Sequence, residues 1–478
     1  MNTIIQCFLE KIISLEEKSL ENLNNINFLS DLTDDLNKEL MNLGKELILE
    51  YLMNLEEIIY ESEERKEKYI SYQKNSLANK RKLITIFGEI EFSRRYYQER
   101  LNEKEKIYLL DKAIGLEEKE RMLVNVEEKM LNFATVKSYE FAGKNCAYNT
   151  EISKETVKNK IEELDFSNIS QEKFEKKSDN KRLYIQADED HVHLQVGGIS
   201  MPRLITVYEE NINGKLIGKK KFGGIYNKKI DDLWEKVYTY IENKYNYEKI
   251  EKIFIMGDGA NWIKTGLEWL PKSIYVADRF HLEKALIGLC GKDNDKQKSK
   301  IREAMYELDY IKVKELGYEI LAEEMEKSVR ERKLKQLEYI LNNEEGFRNS
   351  VCYDVPGCAA EGDISHTYSD RLSSRPLGWK EDNIDKMARL RILAANGENI
   401  KIVTRNLNKP EIKDKIRKQK QILSYVTFII GLILALFIKD SVICNIIIFG
   451  YFAQTCMITR LAYKLTKNKY GYEVYENA

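Results

Sequence analysis

The sequence predicts an α/β protein in which a strand-rich core is interrupted by a helical insertion and preceded by a mainly helical region with a β-hairpin and a helix-turn-helix-like unit. Three observations support this fold class. Apolar side chains recur at helical spacing in residues 1–78, β-type runs alternate with helices in residues 181–293, and residues 294–350 form a charged helical block. With 478 residues, the chain has room for all of these parts.

Composition narrows the class of protein further. Hydrophobic residues make up 43% of the chain and charged residues 32%, and only 5 residues are proline, which favours ordered, helix-rich domains over disorder. The net charge is −1, so any contact with a polyanion must be local. The 7 cysteines include no CxxC pair, which predicts reduced thiols in a cytosolic protein. Because Glu10, Glu16 and Glu17 follow a short apolar start, we expect no signal peptide.

Residues 1–78 are predicted to form a helical N-terminal arm. Apolar or aromatic side chains recur in this region with the period of an amphipathic helix. They include Ile12, Leu15, Leu20, Leu23, Leu40, Leu43, Leu47 and Tyr51. A helical cap is the simplest role for this arm, and dimerisation or the binding of DNA ends is the alternative.

Residues 81–97 alternate apolar and polar side chains on both sides of Gly88, as in two short strands joined by a turn. The ends of this predicted hairpin are basic and aromatic, with Lys82 at one end and Arg94 and Arg95 ahead of two tyrosines at the other. Such a ribbon can grip phosphates and stack on bases, which makes these three basic residues candidate DNA contacts. An ordinary hairpin with solvated ends is the alternative.

Two further helices are predicted at helix-turn-helix spacing before residue 164. The second of them opens at Ser153, a residue type suited to capping a helix N-terminus. Lys154 and Lys158 lie on its first turns, where a recognition helix contacts DNA. Residues 79–164 together form the predicted DNA-binding region. Because capped helix pairs are common, a purely structural pair is the alternative.

Residues 181–293 have the order of strands and helices found in an RNase H-like α/β core. Several β-type runs come first, then an amphipathic helix, then two apolar strands that alternate with helices. The β-type runs are 182–187, 191–196 and 203–208, with 218–224 continuing the meander; the helix is 230–241, and the apolar strands are 252–256 and 273–277. The helical insertion at 294–350 interrupts this core, and residues 351–400 complete it.

Acidic residues stand where the buried strands end. Asp188 closes the first β-type run, and Asp258 follows the first apolar strand between two glycines. Burying a carboxylate without a partner is costly, and a divalent cation removes that cost. Two ions that hold phosphate oxygens need three or four carboxylates from separate elements. A solvated turn or helix cap is the alternative for either residue alone, but together they indicate metal-dependent phosphodiester chemistry.

The third carboxylate is predicted within residues 351–400. Glu361 is flanked by small residues, and Arg371 and Arg375 follow it as groups able to clamp a phosphate. All 4 histidines lie in the core close to acidic residues, and we expect them to orient water or phosphate. They are His191, His193, His281 and His366. A zinc site made from them is the alternative, although their spacing fits no tetrahedral template.

Several linked motifs in this order resemble the bacterial insertion-sequence transposases of the ISLre family, distant relatives of the Mutator-like DDE transposases. The similarity runs from about residue 40 to about residue 397. The motifs are Tyr184–His191, Ile255–Trp262, Asp278–Leu282, Ala360–His366 and Arg371–Trp379. In that family, the wide spacing between the second aspartate and the glutamate holds a helical insertion, and the spacing in this chain agrees.

The resemblance implies an RNase H-like fold and a DDE triad of Asp188, Asp258 and Glu361 that holds two Mg²⁺ or Mn²⁺ ions. It implies a transposase that cleaves DNA at the ends of an insertion sequence and transfers the strand into target DNA. Its partners would be the terminal repeats, the target DNA and further copies of the chain in a synaptic complex.

Further acidic and histidine residues lie close to the predicted triad. Asp278 and His281 resemble the C/D-x-x-H signature of the Mutator clade, which lies beside the active site in that family. Asp190 follows Asp188 closely along the chain. It therefore stays open as the alternative first ligand.

Residues 401–478 depart from the family pattern. Two uncharged apolar runs within 423–459 are flanked by basic segments, as in a membrane hairpin with both ends in the cytoplasm. The resemblance implies a polar tail instead. We therefore expect a cytoplasmic bacterial protein with a frame change or fusion near residue 400, and membrane contact through 423–459 is the alternative.

Two other function classes stay open. A truncated or fused, catalytically silent derivative of a transposase would bind DNA or anchor to a membrane without cutting DNA. Another RNase H-like nuclease, such as a junction resolvase, is disfavoured by the helical insertion and the N-terminal arm.

Overall fold

The structure is a computed structural model that describes residues 2–21, 27–71, 79–101, 106–167, 174, 176–227, 229–374 and 378–400. Within these residues the chain forms two compact units: the first contains residues 2–47, 82–90 and 121–400, and the second contains residues 48–81 and 91–120. No helix among the described residues is both long and apolar enough to cross a membrane. The predicted membrane hairpin at 423–459 lies outside the described residues.

The N-terminal region contains the predicted helices and the predicted hairpin. Its elements are α1 (Asn2–Glu21), α2 (Phe28–Glu61), α3 (Glu63–Lys68), β1 (Tyr69–Ser71), β2 (Asn79–Thr85), β3 (Gly88–Arg94), β4 (Tyr97–Glu99), β5 (Lys106–Ile107) and α4 (Leu109–Ile114). Strand β2 pairs with β3. Gly88 opens β3 with a φ of +113°, a conformation that glycine adopts without strain, so the predicted turn at Gly88 is confirmed.

A buried charge cluster lies inside the second unit. The guanidinium groups of Arg81 and Arg94 both pair with the carboxylate of Asp111, and all three side chains are largely buried. The Arg94 guanidinium also lies 3.7 Å from the centre of the Tyr108 ring. Burial and the like charge of Arg81 lower the pKa of Arg94. Because an unpaired buried charge is costly, the second unit depends on the presence of Asp111.

Three helices of the first unit pack against one another and share a core with the last described helix. They are α5 (Val124–Val136), α6 (Tyr139–Asn145) and α7 (Lys154–Glu162). The predicted cap of α7 is confirmed, because Ser153 Oγ accepts a hydrogen bond of 3.2 Å from the Thr156 amide. Gly143 lets α6 approach the next segment, since a Cβ at Gly143 would lie 2.0 Å from the Ile152 carbonyl oxygen.

A mixed five-stranded sheet forms the centre of the first unit. The strands of this region are β6 (Arg182–Glu189), β7 (Val192–His193), β8 (Ile199–Ser200), β9 (Arg203–Tyr208), β10 (Glu210–Ile212), β11 (Lys215–Ile217), β12 (Lys220–Gly224), β13 (Lys252–Gly257) and β14 (Ser273–Ala277). The sheet order is β12-β9-β6-β13-β14. Strands β12, β9 and β6 are antiparallel neighbours, whereas β6, β13 and β14 are parallel. The predicted α/β class is confirmed.

The prediction of a core strand at 191–196 is wrong. Val192–His193 pairs with Ile199–Ser200 in a small hairpin outside the five-stranded sheet, and Leu194 forms an isolated bridge with Trp379. Gly197 and Gly198 have φ values of +85° and +90°, so the chain reverses there before a core strand can form. The third antiparallel strand of the sheet is β12 instead.

Helices cover both faces of the sheet. On one face, α8 (Ile230–Lys244), α9 (Asn261–Lys264) and α10 (Gly266–Trp269) pack on alternate apolar residues of β6, β9 and β13. On the other face, the rings of Tyr208, Tyr184 and Phe254 stack in a row across three strands. Residues around Val355 cover this second face.

The residues predicted as a helical insertion, 294–350, are helical, and they share an apolar core with the preceding helix and with Tyr275 and Ala277 of β14. The preceding helix is α11 (Arg279–Cys290), and the helices of the block are α12 (Asp295–Tyr306), α13 (Tyr310–Glu323), α14 (Lys327–Asn342) and α15 (Glu344–Cys352). The chain then returns to the sheet through α16 (Ala360–Ile364), a π-helical turn (Ser365–Ser369), α17 (Asp370–Leu372) and α18 (Glu381–Ala395). The predicted division of the chain into segments stays a prediction.

Candidate active site

Three aspartates lie side by side at the carboxyl edge of the parallel part of the sheet. Asp188 lies near the end of β6, and Asp258 and Asp278 directly follow β13 and β14. The three strands are in register, so these aspartates stand at one level of the sheet. The residue alternation of a strand also puts Asp188 on the same face as Gln186 and Tyr184, the face opposite α8.

The loop that carries Asp258 is fixed by tight backbone contacts. A Cβ on Gly257 would lie 2.8 Å from the Ala187 carbonyl oxygen, and Gly259 has a φ of +92°. The Tyr339 hydroxyl, on α14 of the helical block, donates a hydrogen bond of 2.7 Å to the Asp258 carbonyl oxygen. The helical block therefore positions one edge of the site.

Buried Asp278 and partly buried His281 form a pair beside these carboxylates. One oxygen of Asp278, which is 3% exposed, accepts from the Phe280 amide and caps α11, and the other lies 3.0 Å from His281 Nδ1. This hydrogen bond raises the pKa of His281, and the charges of Asp188 and Asp258 act in the same direction. The imidazole therefore lies in the field of the aspartates.

Glu361 is brought to the site by a second acidic residue on the same short helix. Helix α16 packs on β6, and the carboxylate of Asp363 is held by three side chains of the sheet. These contacts are with Gln186 Nε2 (2.9 Å), Thr206 Oγ1 (2.5 Å) and Lys221 Nζ (2.5 Å). The strand that carries Asp188 thus also holds the helix that carries Glu361.

The carboxylates act on one another electrostatically. Burial raises the pKa of Asp188 to about 6, and the negative charges of Asp258 and Glu361 contribute in the same direction. The hydrogen bond from the Glu189 amide and the charge of His281 oppose the rise. A carboxyl in these surroundings favours either a proton or a cation.

This perturbation predicts that Asp188 destabilises the protein at neutral pH when no cation is present. The folded-state pKa of about 6 lies above the ordinary value of 3.8, so the stability that protonated Asp188 contributes is complete below pH 3.8 and is lost as the pH rises through about 6. In EDTA, we expect Asp188→Asn to be more stable than wild type at pH 7.5, by on the order of 1–3 kcal/mol, and to lose this advantage at pH 4. Thermal unfolding between pH 4 and 8 measures the difference.

The control for this comparison is Asp293→Asn, because Asp293 is exposed. The control should unfold like wild type at every pH. Equal melting temperatures for wild type and Asp188→Asn at pH 7.5 would contradict the burial of Asp188 among like charges.

Hard divalent cations are bound by carboxylate oxygens, and the donor types gathered at this edge suit them. In the part of the chain that the structure describes, however, no group of three or more His, Cys, Asp or Glu side chains forms a metal-holding arrangement. The two predicted ions therefore stay a prediction. The same finding gives no support to a histidine zinc site among these residues.

The predicted supporting residues lie in different surroundings. Asp190 is buried and accepts hydrogen bonds of 2.9 Å from the Ser373 hydroxyl, which favours Asp188 as the first ligand. Arg371 donates to the Ala134 carbonyl oxygen and lies over aromatic rings, so it packs within the protein. The His366 side chain is 84% exposed. Arg375 lies outside the described residues.

The predicted DNA contacts of the hairpin have partners within the protein. Lys82 is exposed and pairs with Glu89 at 2.9 Å. Arg94 belongs to the buried cluster around Asp111, and Arg95 pairs with Glu57 at 2.7 Å, with a side chain 13% exposed. The burial of the two arginines gives them a structural role that the pattern of a basic hairpin end did not reveal.

The predicted contacts of the second helix are more accessible than the two arginines of the hairpin. Lys154 is exposed on the first turn of α7, and Lys158 pairs with Glu162 at 3.2 Å with a side chain 38% exposed. A surface pair of this kind is weak, so a phosphate can replace Glu162. Like Lys82, these two lysines keep the accessibility that a DNA contact needs.

Sequence reasoning missed the residues that hold the site together. Lys221 looks like one of three surface lysines in a row, yet it is 5% exposed and pairs with Asp363. Asn343 is 4% exposed and accepts from the Tyr275 hydroxyl at 2.8 Å behind the Asp258 loop. The strand alternation puts Lys221 on the face opposite partly buried Phe222, where a lysine is ordinarily solvated, so no signal in the sequence pointed to its burial.

Comparison with known proteins shows which protein family the chain resembles. Residues 22–409 match the family described as Uncharacterised protein family (UPF0236). A UPF0236 protein of Caldanaerobacter subterraneus subsp. tengcongensis is 38% identical over 432 residues, which cover 86% of this chain and 89% of the relative. A second UPF0236 protein from that bacterium is 39% identical over 393 residues, which cover 79% of this chain and 83% of the relative.

A more distant relative comes from Streptococcus gallolyticus and is described as the UPF0236 protein in the vanSb 3' region. It is 26% identical over 391 residues, which cover 76% of this chain and 80% of the relative. The family has many paralogues in the one Caldanaerobacter strain. Both the matched length and the identities lead to one conclusion: the chain belongs to the family UPF0236.

Proposed function

We propose that this protein is a DNA transposase that cleaves phosphodiester bonds at the ends of an insertion sequence and transfers the freed strand into target DNA. One observation carries the proposal: three acids that are far apart in sequence act on one another at one edge of the sheet. The charges of Asp258 and Glu361 both raise the pKa of Asp188. Perturbed carboxylates gathered at a sheet edge are typical of catalytic sites.

The topology of the sheet supports an RNase H-like core. Three antiparallel strands are followed by two parallel ones, and the first two acids stand at the ends of the adjacent central strands β6 and β13. The helical block between Asp258 and Glu361 agrees with the insertion that the ISLre resemblance implies. The packing of α5, α6 and α7 supports a helix-turn-helix role for this unit.

Asp188, Asp258 and Glu361 would hold two Mg²⁺ or Mn²⁺ ions, which supply charge stabilisation to the entering and leaving oxygens of the phosphodiester. This assignment requires the three carboxylates to close together, because they form no metal-holding group in their present arrangement. Asp278 fixes the ring of His281 through Nδ1. The other ring nitrogen is then available to exchange a proton with water or a DNA hydroxyl.

The paralogues also support the proposal. A gene carried by an element that copies itself accumulates at many loci of one genome, and relatives of this chain occur so in Caldanaerobacter. The test is an assay with duplex DNA from the boundaries of the gene, in the presence of Mg²⁺. We expect strand breaks with free 3′-hydroxyls at the element ends, followed by joining to a second duplex. Binding without any break would instead indicate a catalytically silent derivative.

We expect the double variant Lys154→Ala/Lys158→Ala to bind duplex DNA more weakly and with a lower dependence on salt. Each lost phosphate contact reduces the slope of the logarithm of affinity against the logarithm of salt concentration by about 0.9. Fluorescence anisotropy measures both the affinity and its dependence on salt. The titrations run from about 50 to about 200 mM salt, where phosphate contacts have a large effect on affinity.

The matched control is Lys144→Ala, which removes an exposed lysine from the preceding helix α6, where it pairs with Glu140 at 2.8 Å. This control should leave the slope unchanged. An unchanged slope in the double variant itself would remove α7 from the DNA interface.

A further inference from the structure

A buried ion pair joins the sheet to the helix that follows the helical block. Lys221 Nζ lies 2.5 Å from one oxygen of Asp363, and the two side chains are 6% and 12% exposed. The same amine donates to the Thr367 hydroxyl at 2.6 Å, in the π-helical turn after α16. Burial of both charges means that neither side chain can exchange this partner for water without a change in the fold.

The second oxygen of Asp363 extends the contact to two more strands. It accepts from Thr206 Oγ1 on β9 at 2.5 Å and from Gln186 Nε2 on β6 at 2.9 Å. Gln186 also accepts a hydrogen bond of 3.2 Å from the Ala359 amide, at the N-terminus of α16. Asp363 is therefore held by three neighbouring strands at once.

These strand residues form one row across the sheet. Lys221 is the register partner of Thr206, and Thr206 is the register partner of Gln186. Asp188 lies two residues beyond Gln186 on the same strand and therefore on the same face. Glu361 lies two residues before Asp363 on α16. This row of side chains therefore holds the helix that carries Glu361 against β6, the strand that carries Asp188.

We propose that the Lys221–Asp363 ion pair, together with Gln186 and Thr206, is a positioning network that sets Glu361 against Asp188. This inference rests on the proposed function, because positioning Glu361 matters only if Glu361 and Asp188 bind metal ions together. Both oxygens of Asp363 accept hydrogen bonds from side chains of the sheet, so Asp363 acts through Glu361 and is not a ligand itself. Glu361 lies on the same short helix as Asp363, so the position of Glu361 depends on how that helix is held.

The test is the affinity of the full-length protein for Mn²⁺, measured by isothermal titration calorimetry with MnCl₂. Asp363→Asn removes the charge that holds Lys221 but keeps the side-chain size. Loss of a group that orients a metal ligand lowers metal affinity by 10–100-fold in general, so we expect about a tenfold loss. The decisive measurement repeats this change in a Glu361→Gln background, where the loss should shrink to less than about twofold, because the network acts only through Glu361.

Two further variants separate an effect on Glu361 from a general effect on the fold. Gln186→Leu leaves no buried charge unpaired, so it should fold even where Asp363→Asn does not, and it should also weaken Mn²⁺ binding only when Glu361 is present. The matched control is Lys220→Met, which breaks the neighbouring ion pair of β12, that between Lys220 and Glu398 at 2.8 Å, with side chains 13% and 18% exposed. This control should keep the wild-type affinity.

The outcomes separate the two proposals. Wild-type protein that binds no Mn²⁺, or that binds it equally well with Glu361→Gln, overturns the proposed metal site and this inference with it. A site that needs Glu361 but ignores both Asp363→Asn and Gln186→Leu overturns the positioning network alone. Equal losses with and without Glu361 also overturn it, because they indicate a general effect on the fold.

Discussion

Replacing Asp258 by asparagine should abolish cleavage of an end-containing duplex while leaving the binding of that duplex intact. Asparagine keeps the size of the side chain and the oxygen that accepts from the Ala260 amide at 2.9 Å, so the loop should keep its shape. The negative charge is lost, and with it the ligand for the divalent ions. Metal ions contribute several kcal/mol to such reactions, so the cleavage rate should fall by about a thousandfold or more.

The measurement follows the release of a labelled strand in Mg²⁺, with duplex binding followed in parallel by gel shift. Asp188→Asn and Glu361→Gln should behave in the same way. Asp190→Asn is the matched control, because Asp190 is the neighbouring acid whose oxygens are bound by Ser373. It should cost far less activity than the triad variants, and cleavage retained by Asp258→Asn would refute the assignment of Asp258.

The strand ends of the site could be predicted because their signals are local. The apolar runs before Asp258 and Asp278 are short, uninterrupted and followed at once by acids, so both the strand and its end are visible in the sequence. Sheet neighbours then bring the acids together without further information. The register that aligns Asp188 with Asp258 was not visible in the sequence.

Contacts between charges far apart in sequence could not be predicted in this way. Lys221 and Asp363 are 142 positions apart, and Arg94 lies at the end of a hairpin while its partner Asp111 lies on α4. Periodicity reports which face of an element is apolar, but it does not report which charged side chain finds a buried partner. The basic hairpin end therefore suggested DNA contacts where the structure has buried ion pairs.

Replacing Asp111 by alanine should unfold or strongly destabilise the second unit. The change leaves the two guanidinium groups of Arg81 and Arg94 buried together without a counter-ion. Removing one partner of a buried pair costs about 3–5 kcal/mol in the free energy of unfolding. Arg81 keeps hydrogen bonds to the carbonyl oxygens of Glu117 and Glu120, both 2.6 Å, which will not neutralise its charge.

The two units can be followed separately in this experiment. The 4 tryptophans of the chain are Trp234, Trp262, Trp269 and Trp379, and all lie in the first unit. Tryptophan fluorescence during urea unfolding therefore reports the first unit, and hydrogen exchange of peptides from residues 79–101 and 106–120 reports mainly the second. We expect Asp111→Ala to accelerate exchange in those peptides while the fluorescence transition stays in place.

The matched control lies on the hairpin that carries Arg81 and Arg94. Glu91→Ala breaks the pair between Lys80 and Glu91, whose side chains are 70% and 39% exposed, and exposed pairs contribute only about 0–1 kcal/mol. Its exchange should stay close to that of wild type. If Asp111→Ala exchanges no faster than Glu91→Ala, the cluster is not what stabilises this unit, and Arg94 would again be free to serve as a DNA contact. If the expected difference appears, loss of DNA binding in an Arg94 variant has to be assigned to unfolding before it is assigned to a lost phosphate contact.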